Sequence, residues 1–268
     1  MAIVGASGCG KSTVISLVQR LWEPSGGNIW IGDERGDDVV VGLDEVDVRW
    51  LRDKQAVVSQ GATLFDTSVA ENIRYGSVAC AETSSEGSTT TTTNVVSDVE
   101  VRRAAKRANV HEVVMGLGAG YDTVLGSSGG GLSGGQAQRV QIARALARMR
   151  GGDDDDDDDD DALVVGRGAD VLMLDEGTSA LDGENEGVVL DAVRELVGES
   201  GRGRGRRRRR PTVVMVTHKI EVMRLCDRLV VLGSGREAGR VVEEGRFEEL
   251  MERKGEFARL ASGGVWEC

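Results

Sequence analysis

A glycine-rich loop near the start of the chain has the residue types needed to bind phosphate. The apolar run Ala2-Ile3-Val4 leads into Gly5-Ala6-Ser7-Gly8-Cys9-Gly10-Lys11-Ser12-Thr13, which fits the pattern G-x-x-x-x-G-K-[ST]. Glycines let backbone N–H groups approach an anion, and the N-terminus of the following helix adds a favourable dipole. The pattern predicts that Lys11 contacts the outer phosphates of a nucleotide and that the Ser12 hydroxyl binds Mg²⁺. An ordinary strand-to-helix turn is the alternative, and the Lys-Ser pair at the end of the loop argues against it.

Two carboxylates follow a buried apolar strand much later in the chain. Leu172-Met173-Leu174 precedes Asp175 and Glu176. In a phosphate-transfer site Asp175 would hold the Mg²⁺ shell, and Glu176 would polarise an attacking water. Buried strands often end in acidic turns, so the pair is informative mainly because the same chain carries the phosphate loop.

A second helix start also has the features of an anion site. The run Ser133-Gly134-Gly135-Gln136 opens a helix, and its hydroxyl and free N–H groups suit a γ-phosphate. Taken alone, the run has an equally good alternative interpretation, in which Ser133 simply caps its own helix.

The elements around these residues alternate between strands and helices. Apolar runs predict strands at 2–4, 56–59, 171–174, 213–216 and 229–232, and helical periodicity is present over 12–20, 99–115, 136–150, 182–197 and 248–260. This alternation predicts an α/β domain with a largely parallel sheet.

The composition limits the class of protein. Of the formal charge of −12, nine negative charges come from Asp153–Asp161 and seven positive ones from the arginines of 202–210, so the rest carries −10. This acidic body makes nucleic acid an unexpected partner. The four cysteines are widely spaced, which indicates a reduced, intracellular protein without structural zinc. The sequence carries no signal-peptide pattern and no apolar run near the ~20 residues of a membrane span.

Low-complexity stretches interrupt the domain. Residues 78–98 are rich in Ser and Thr, 150–169 contain the Asp run, and 198–210 contain the Arg run. We interpret them as solvated surface inserts. Divalent-cation binding by the Asp run and contact of the Arg run with anionic lipid or nucleic acid are the alternatives.

The motifs together resemble the nucleotide-binding domain of ABC transporters. Leu132-Ser133-Gly134-Gly135-Gln136 resembles that family's signature motif, and few other proteins carry it beside a phosphate loop. The resemblance implies a P-loop NTPase fold, an α/β fold with a RecA-like parallel sheet core and an inserted helical signature subdomain. It also implies ATP and Mg²⁺ as ligands. By the same resemblance Gln60 is the glutamine that touches Mg²⁺ and water, 179–182 is the D-loop, and His218 is the histidine that contacts the γ-phosphate.

One stretch is similar to a particular subfamily. Leu64–Ile73 resembles subfamily B exporters of the P-glycoprotein, multidrug and peptide-pheromone type, and the C-terminal Val241–Gly245 agrees with it. The resemblance implies one ABC ATPase domain over 1–268, with a core lobe at 1–77 and 171–262 and a helical subdomain at 99–148. It further implies a head-to-tail pair of such domains, transmembrane domains outside this chain, and a position at the cytosolic face of a membrane.

Three positions depart from the family pattern. The chain begins too late to include the aromatic residue that stacks on adenine, so we expect an N-terminally truncated domain with weakened nucleotide affinity. Gln60 is followed by Gly61-Ala62 instead of Glu-Pro, and Ser127 stands where exporters have Glu. These two departures lead us to expect altered coupling to a membrane domain.

Two other functions fit the same motifs. One is a non-transport, soluble ABC ATPase acting on nucleic acid or ribosomes, and the other is an inactive truncated remnant. Cys9 is interpreted as a tolerated small residue and not as a redox handle. His111, predicted on a solvated helix face, is assigned no role.

Overall fold

Short apolar strands alternate with helices along the chain, as the sequence predicts. The computed structural model describes residues 1–32, 40–76, 80–83, 89–92, 96–126, 131–149, 168–198 and 211–263. The strands are β1 (Ala2–Val4), β2 (Trp30–Ile31), β3 (Val41–Gly42), β4 (Gln55–Val58), β5 (Cys80–Thr83), β6 (Thr89–Thr92), β7 (Val171–Asp175), β8 (Thr212–Val216), β9 (Leu229–Leu232) and β10 (Val241–Gly245). The helices are α1 (Lys11–Val18), α2 (Val48–Asp53), α3 (Val69–Arg74), α4 (Asp98–Arg107), α5 (His111–Met115), α6 (Gly134–Arg148), α7 (Gly183–Gly198), α8 (Ile220–Met223), α9 (Phe247–Arg253) and α10 (Glu256–Ala261).

The chain divides into two units, each built from separate stretches of sequence. The first comprises Met1–Gln55, Met173–Glu176 and Val213–Cys268. The second comprises Ala56–Leu172 and Gly177–Thr212. Residues on either side of the acidic pair therefore belong to different units, and each unit is described by itself.

A mostly parallel sheet forms the core of the first unit. The strands lie in the order β10-β9-β1-β8-β7 within a six-stranded sheet whose remaining strand is β4. Strand β1 pairs in parallel with β8 and with β9, whereas β10 is antiparallel to β9. All three residues of β1 are buried, because a central strand of a parallel sheet is covered on both faces. The loop after β1 begins at the carboxyl end of such a strand, where ligands bind in open α/β sheets.

Packed helices dominate the second unit, where α6 packs against both α3 and α4. On α4 the buried residues Val101, Ala104 and Ala105 follow helical spacing. Ser97 caps α4 by a capping box with Glu100, which fixes where the helix begins.

Two helices that the sequence predicts as continuous are interrupted. Between α4 and α5, Asn109 has a φ of 53°, and Lys254 after α9 has a φ of 54°. Asparagine adopts this left-handed conformation more readily than most residues, and a left-handed residue commonly ends a helix. None of the helices in the described ranges is long and apolar enough to cross a membrane.

Part of the Ser/Thr-rich stretch forms two strands. Strands β5 and β6 pair in antiparallel register, with Cys80 opposite Thr92 and Thr83 opposite Thr89. The sequence predicts a surface insert over 78–98 and does not predict these two strands, although threonine is favoured in strands. Positions 78–79, 84–88 and 93–95 of the stretch lie outside the described residues.

His111 is not solvated as predicted. Only 18% of its side chain is exposed, and Nδ1 lies 2.7 Å from the hydroxyl of Tyr121. Burial raises the pKa of that tyrosine, and the positive charge of Arg102 opposes the rise. The histidine, at the start of α5, therefore packs against the turn at Tyr121 instead of facing solvent.

The Asp run and the Arg run lie within 150–167 and 199–210, outside the described residues. Described residues that flank these two segments form hydrogen bonds with one another. The N–H of Ala169 donates to the carbonyl of Arg148 at 2.7 Å. The N–H of Thr212 donates to the carbonyl of Asp170 at 2.8 Å. Both inserts thus join the fold at the amino ends of β7 and β8.

Candidate functional site

The loop between β1 and α1 takes a shape that depends on its glycines. A Cβ atom on Gly5 would lie 2.7 Å from both the Cys9 sulfur and the Leu232 carbonyl oxygen. Gly10 precedes α1 with a φ of 101°, in the left-handed region that favours glycine. Among the described residues, no side chain accepts a hydrogen bond from the first N–H groups of α1. An anion is the group that such a helix start favours.

The Lys11 and Ser12 side chains lie at the start of α1 and point to different partners. The Lys11 ammonium donates to the carbonyls of Gly5 and Ala6, both at 2.9 Å, so it reaches back over the loop. The Ser12 hydroxyl donates to a carboxylate oxygen of Asp175 at 3.0 Å. The first and second sequence motifs are therefore in direct contact.

Cys9 is part of the packing of this loop. It is 1% exposed, and its carbonyl accepts the N–H of Gly239 at 3.0 Å. Its sulfur lies 3.9 Å from the Lys11 nitrogen. The contact between Cys9 and Gly239 could not be predicted from the sequence, because no motif around Gly239 indicates it.

Asp175 ends β7 with its carboxylate partly withdrawn from water. Burial raises the pKa of Asp175, the hydrogen bond from Ser12 opposes that rise, and the charge of Glu176 adds to it. Lys11 acts in the opposite sense. The Ser12 hydroxyl and the Asp175 carboxylate thus place two oxygen ligands for a cation beside the phosphate loop.

Glu176 has an unusual backbone conformation. Its φ is 49°, and its N–H donates to the carbonyl of Val216 on β8 at 3.0 Å. A non-glycine residue in this region costs of order 1–3 kcal/mol and is concentrated at functional sites. The turn brings a Glu176 carboxylate oxygen to 3.8 Å from Nδ1 of His218, which follows β8. The first unit thus brings together five of the predicted site residues: Lys11, Ser12, Asp175, Glu176 and His218.

The Ser133 run belongs to the second unit and begins α6. The Ser133 hydroxyl accepts the Gln136 N–H at 3.3 Å, and the Gln136 side chain accepts the Ser133 N–H at 2.8 Å. This capping box is the local role that the sequence left open. A Cβ on Gly135 would lie 3.0 Å from the carbonyl of Ala180 in the predicted D-loop, so glycine permits the close approach. Gln138 donates to the carbonyl of Gly177 at 2.7 Å, which also holds α6 to the segment after Glu176.

Gln60 follows β4 in the second unit and is exposed. The preceding residue, Ser59, accepts a hydrogen bond from Gln141 of α6 at 2.8 Å. Sequence reasoning missed Gln141, because helical periodicity marks the position as buried and nothing more.

Comparison with known proteins gives the family. The family described as ABC transporter matches residues 1–150. The chain belongs to the ABC transporter family. Its predicted α/β P-loop NTPase fold is confirmed, as is the resemblance to subfamily B.

Individual ABC transporters are similar over almost the whole chain. Multidrug resistance protein 1 of Entamoeba histolytica is 35% identical over 260 residues, which cover 97% of this chain and 16% of that protein. ABC multidrug transporter MDR2 of Trichophyton rubrum is 36% identical over 259 residues, again 97% of this chain and 16% of the other. The solved structure of a bacterial Atm1-family ABC exporter with ATP bound superposes with a TM-score of 0.70 at 28% identity. It covers 97% of this chain and 36% of that one. The chain therefore spans about one sixth of the length of these curated relatives.

Proposed function

We propose that the chain is a nucleotide-binding domain that binds ATP and hydrolyses it to ADP and phosphate to drive export through an ABC transporter. The observation that carries the proposal is the cluster of Lys11, Ser12, Asp175, Glu176 and His218 in one unit. Relatives named as multidrug transporters, and a solved relative with ATP bound, support it.

The donor set beside the phosphate loop fits Mg²⁺. The Ser12 hydroxyl and the Asp175 carboxylate are hard oxygen donors 3.0 Å apart on different elements. We propose that Ser12 and Asp175 hold the ion. Gln60, which the resemblance assigns to the same ion, belongs to the second unit. When bound, Mg²⁺ supplies positive charge that neutralises the phosphate oxygens.

The chain's own residues perform the remaining steps. The loop Gly5 to Thr13 places N–H groups and the Lys11 ammonium around the phosphates, where they stabilise the charge that develops during transfer. Glu176 orients the attacking water and accepts its proton, and His218 contacts the γ-phosphate. The strained turn at Glu176 supports this role, because it directs the carboxylate to the side of β8 where His218 lies.

We also propose that two such domains pair head to tail. The chain has two helix starts suited to phosphate, at Lys11 and at Ser133, and they belong to different units. In the proposed pair, Ser133, Gly134, Gly135 and Gln136 of one domain contact the nucleotide bound to the loop of the other. The transmembrane domains lie outside this chain, and the pair works at the cytosolic face of the membrane.

A binding experiment tests the proposal. We expect the full chain to bind ATP, and Lys11→Ala to bind it about tenfold more weakly, since a hydrogen-bonding cation is lost. Calorimetry gives both dissociation constants, and phosphate release should require added Mg²⁺ and stop with EDTA. Equal affinity of the two proteins, or hydrolysis that is unchanged by EDTA, would contradict the proposed site.

The Asp run should not take part in the reaction. The residues that flank it meet at the amino end of β7, whereas Asp175 ends this five-residue strand and Glu176 follows it, about 17 Å away. Deleting Asp153–Asp161 should therefore leave kcat and KM for ATP within about twofold of the wild-type values. Steady-state phosphate release measures both constants, and a collapse of kcat would show that the insert reaches the site.

A further inference from the structure

Helix α6 holds the chain on both sides of Gln60. The Gln141 side-chain amide donates to the Ser59 hydroxyl at 2.8 Å. The Arg144 guanidinium donates to the carbonyl of Thr63 at 3.0 Å. Gln141 and Arg144 are three residues apart and so lie on one face of the helix. The residue before Gln60 and the third residue after it are therefore both attached to the helix that begins with the Ser133 turn.

Arg144 has a second set of contacts farther along the same segment. It donates to the backbone carbonyl of Asn72 at 2.7 Å and to the side-chain oxygen of Asn72 at 2.9 Å. Its guanidinium also lies over the rings of Phe65 and Tyr75, at 4.9 and 5.5 Å from their centroids. Burial lowers the pKa of Arg144 to about 10, so it remains a cation at neutral pH. The contacts with two rings and with Asn72 therefore restrict the movement of the Arg144 side chain.

Asn72 extends this attachment into the core. It is fully buried, and its side-chain oxygen accepts the Phe65 N–H at 2.9 Å. Its amide nitrogen donates to the carbonyls of Phe65, Thr67 and Ser68. The turn from 65 to 68 is thus tied to Asn72, and Asn72 is tied to Arg144 on α6.

Gln141 is the contact nearest to the predicted catalytic glutamine. It is 4% exposed, so a broken bond to Ser59 would leave a buried amide unpaired, which is unfavourable. If Gln141 only filled space in the core, it would not need its hydrogen bond to the hydroxyl of Ser59, the residue directly before Gln60.

We propose that Gln141 and Arg144 are positioning residues that hold the backbone on both sides of Gln60 against α6. The effect on turnover rests on the proposed function, because the position of Gln60 matters there only if Gln60 takes part in the reaction.

The test combines kinetics with hydrogen exchange on the full chain. Gln141→Ala should lower kcat about fivefold, as expected for one lost hydrogen bond, while KM for ATP stays within about twofold. Exchange of the backbone amides of 60–63 without nucleotide should become about fivefold faster. Ser59→Ala should have the same effects, and the double variant should be no worse than either single one.

A matched control and a readout that does not depend on activity make the result decisive. Gln19→Ala also removes one amide hydrogen bond, to the carbonyl of Ile15 on α1, and should change neither readout. If exchange at 60–63 is unchanged in Gln141→Ala, or if the single effects add in the double variant, the positioning role is wrong. If the wild-type chain hydrolyses no ATP, the proposed function fails, and the exchange comparison still decides whether Gln141 holds this segment.

Discussion

Replacing Glu176 by glutamine is expected to lower kcat for ATP hydrolysis at least about 100-fold, while the affinity for ATP stays within about twofold. The amide keeps the size and hydrogen-bonding reach of the side chain but cannot accept the proton of the attacking water. ATP binding depends on Lys11 and the glycine loop, which the change does not touch. The variant should therefore hold ATP without consuming it.

The measurement is single-turnover phosphate release beside calorimetric ATP binding. Glu221→Gln, on the exposed face of α8 in the same unit, is the matched control and should hydrolyse ATP at the wild-type rate. Wild-type turnover by Glu176→Gln would exclude Glu176 as the residue that activates water. A parallel loss of ATP binding would mean that the residue acts in binding.

Much of the site in the first unit can be predicted from local sequence. The phosphate loop is contiguous, and the spacing of its glycines and of Lys11 and Ser12 follows from the backbone geometry of one turn between a strand and a helix. Asp175 could be placed near this loop, because parallel strands bring their carboxyl ends to one edge of a sheet. The hydrogen bond between Ser12 and Asp175 agrees with that reasoning.

Contacts between distant positions could not be predicted in the same way. The left-handed backbone of Glu176 depends on the N–H bond to Val216, forty residues later in the chain. The attachment of Ser59 to Gln141 joins a strand end to a helix across an insert of low complexity. No periodicity identifies such partners, since they are selected by tertiary packing and not by local propensity. Likewise, the break at Asn109 overrides an apolar pattern that runs through 99–115.

Replacing Ser133 by arginine should abolish pairing of the domains and reduce turnover below about one hundredth of the wild-type rate, while ATP binding at Lys11 survives. In the proposed pair this turn faces the nucleotide of the other domain, where a long side chain would occupy the space of the phosphate. The loss should greatly exceed that of a missing helix cap, which destabilises a protein by only about 1 kcal/mol.

The second capped helix of the same unit separates these two effects. Ser97 begins α4 with the same kind of capping box as Ser133, so Ser97→Arg removes an equivalent cap from a helix to which we assign no contact with nucleotide. Light scattering with ATP and Mg²⁺ should show a persistent pair for Glu176→Gln and for Glu176→Gln with Ser97→Arg. The combination with Ser133→Arg should stay monomeric. Pairing that survives Ser133→Arg, or a monomer with full wild-type turnover at saturating ATP, would rule out a shared site, because each domain would then hydrolyse ATP with its own residues alone.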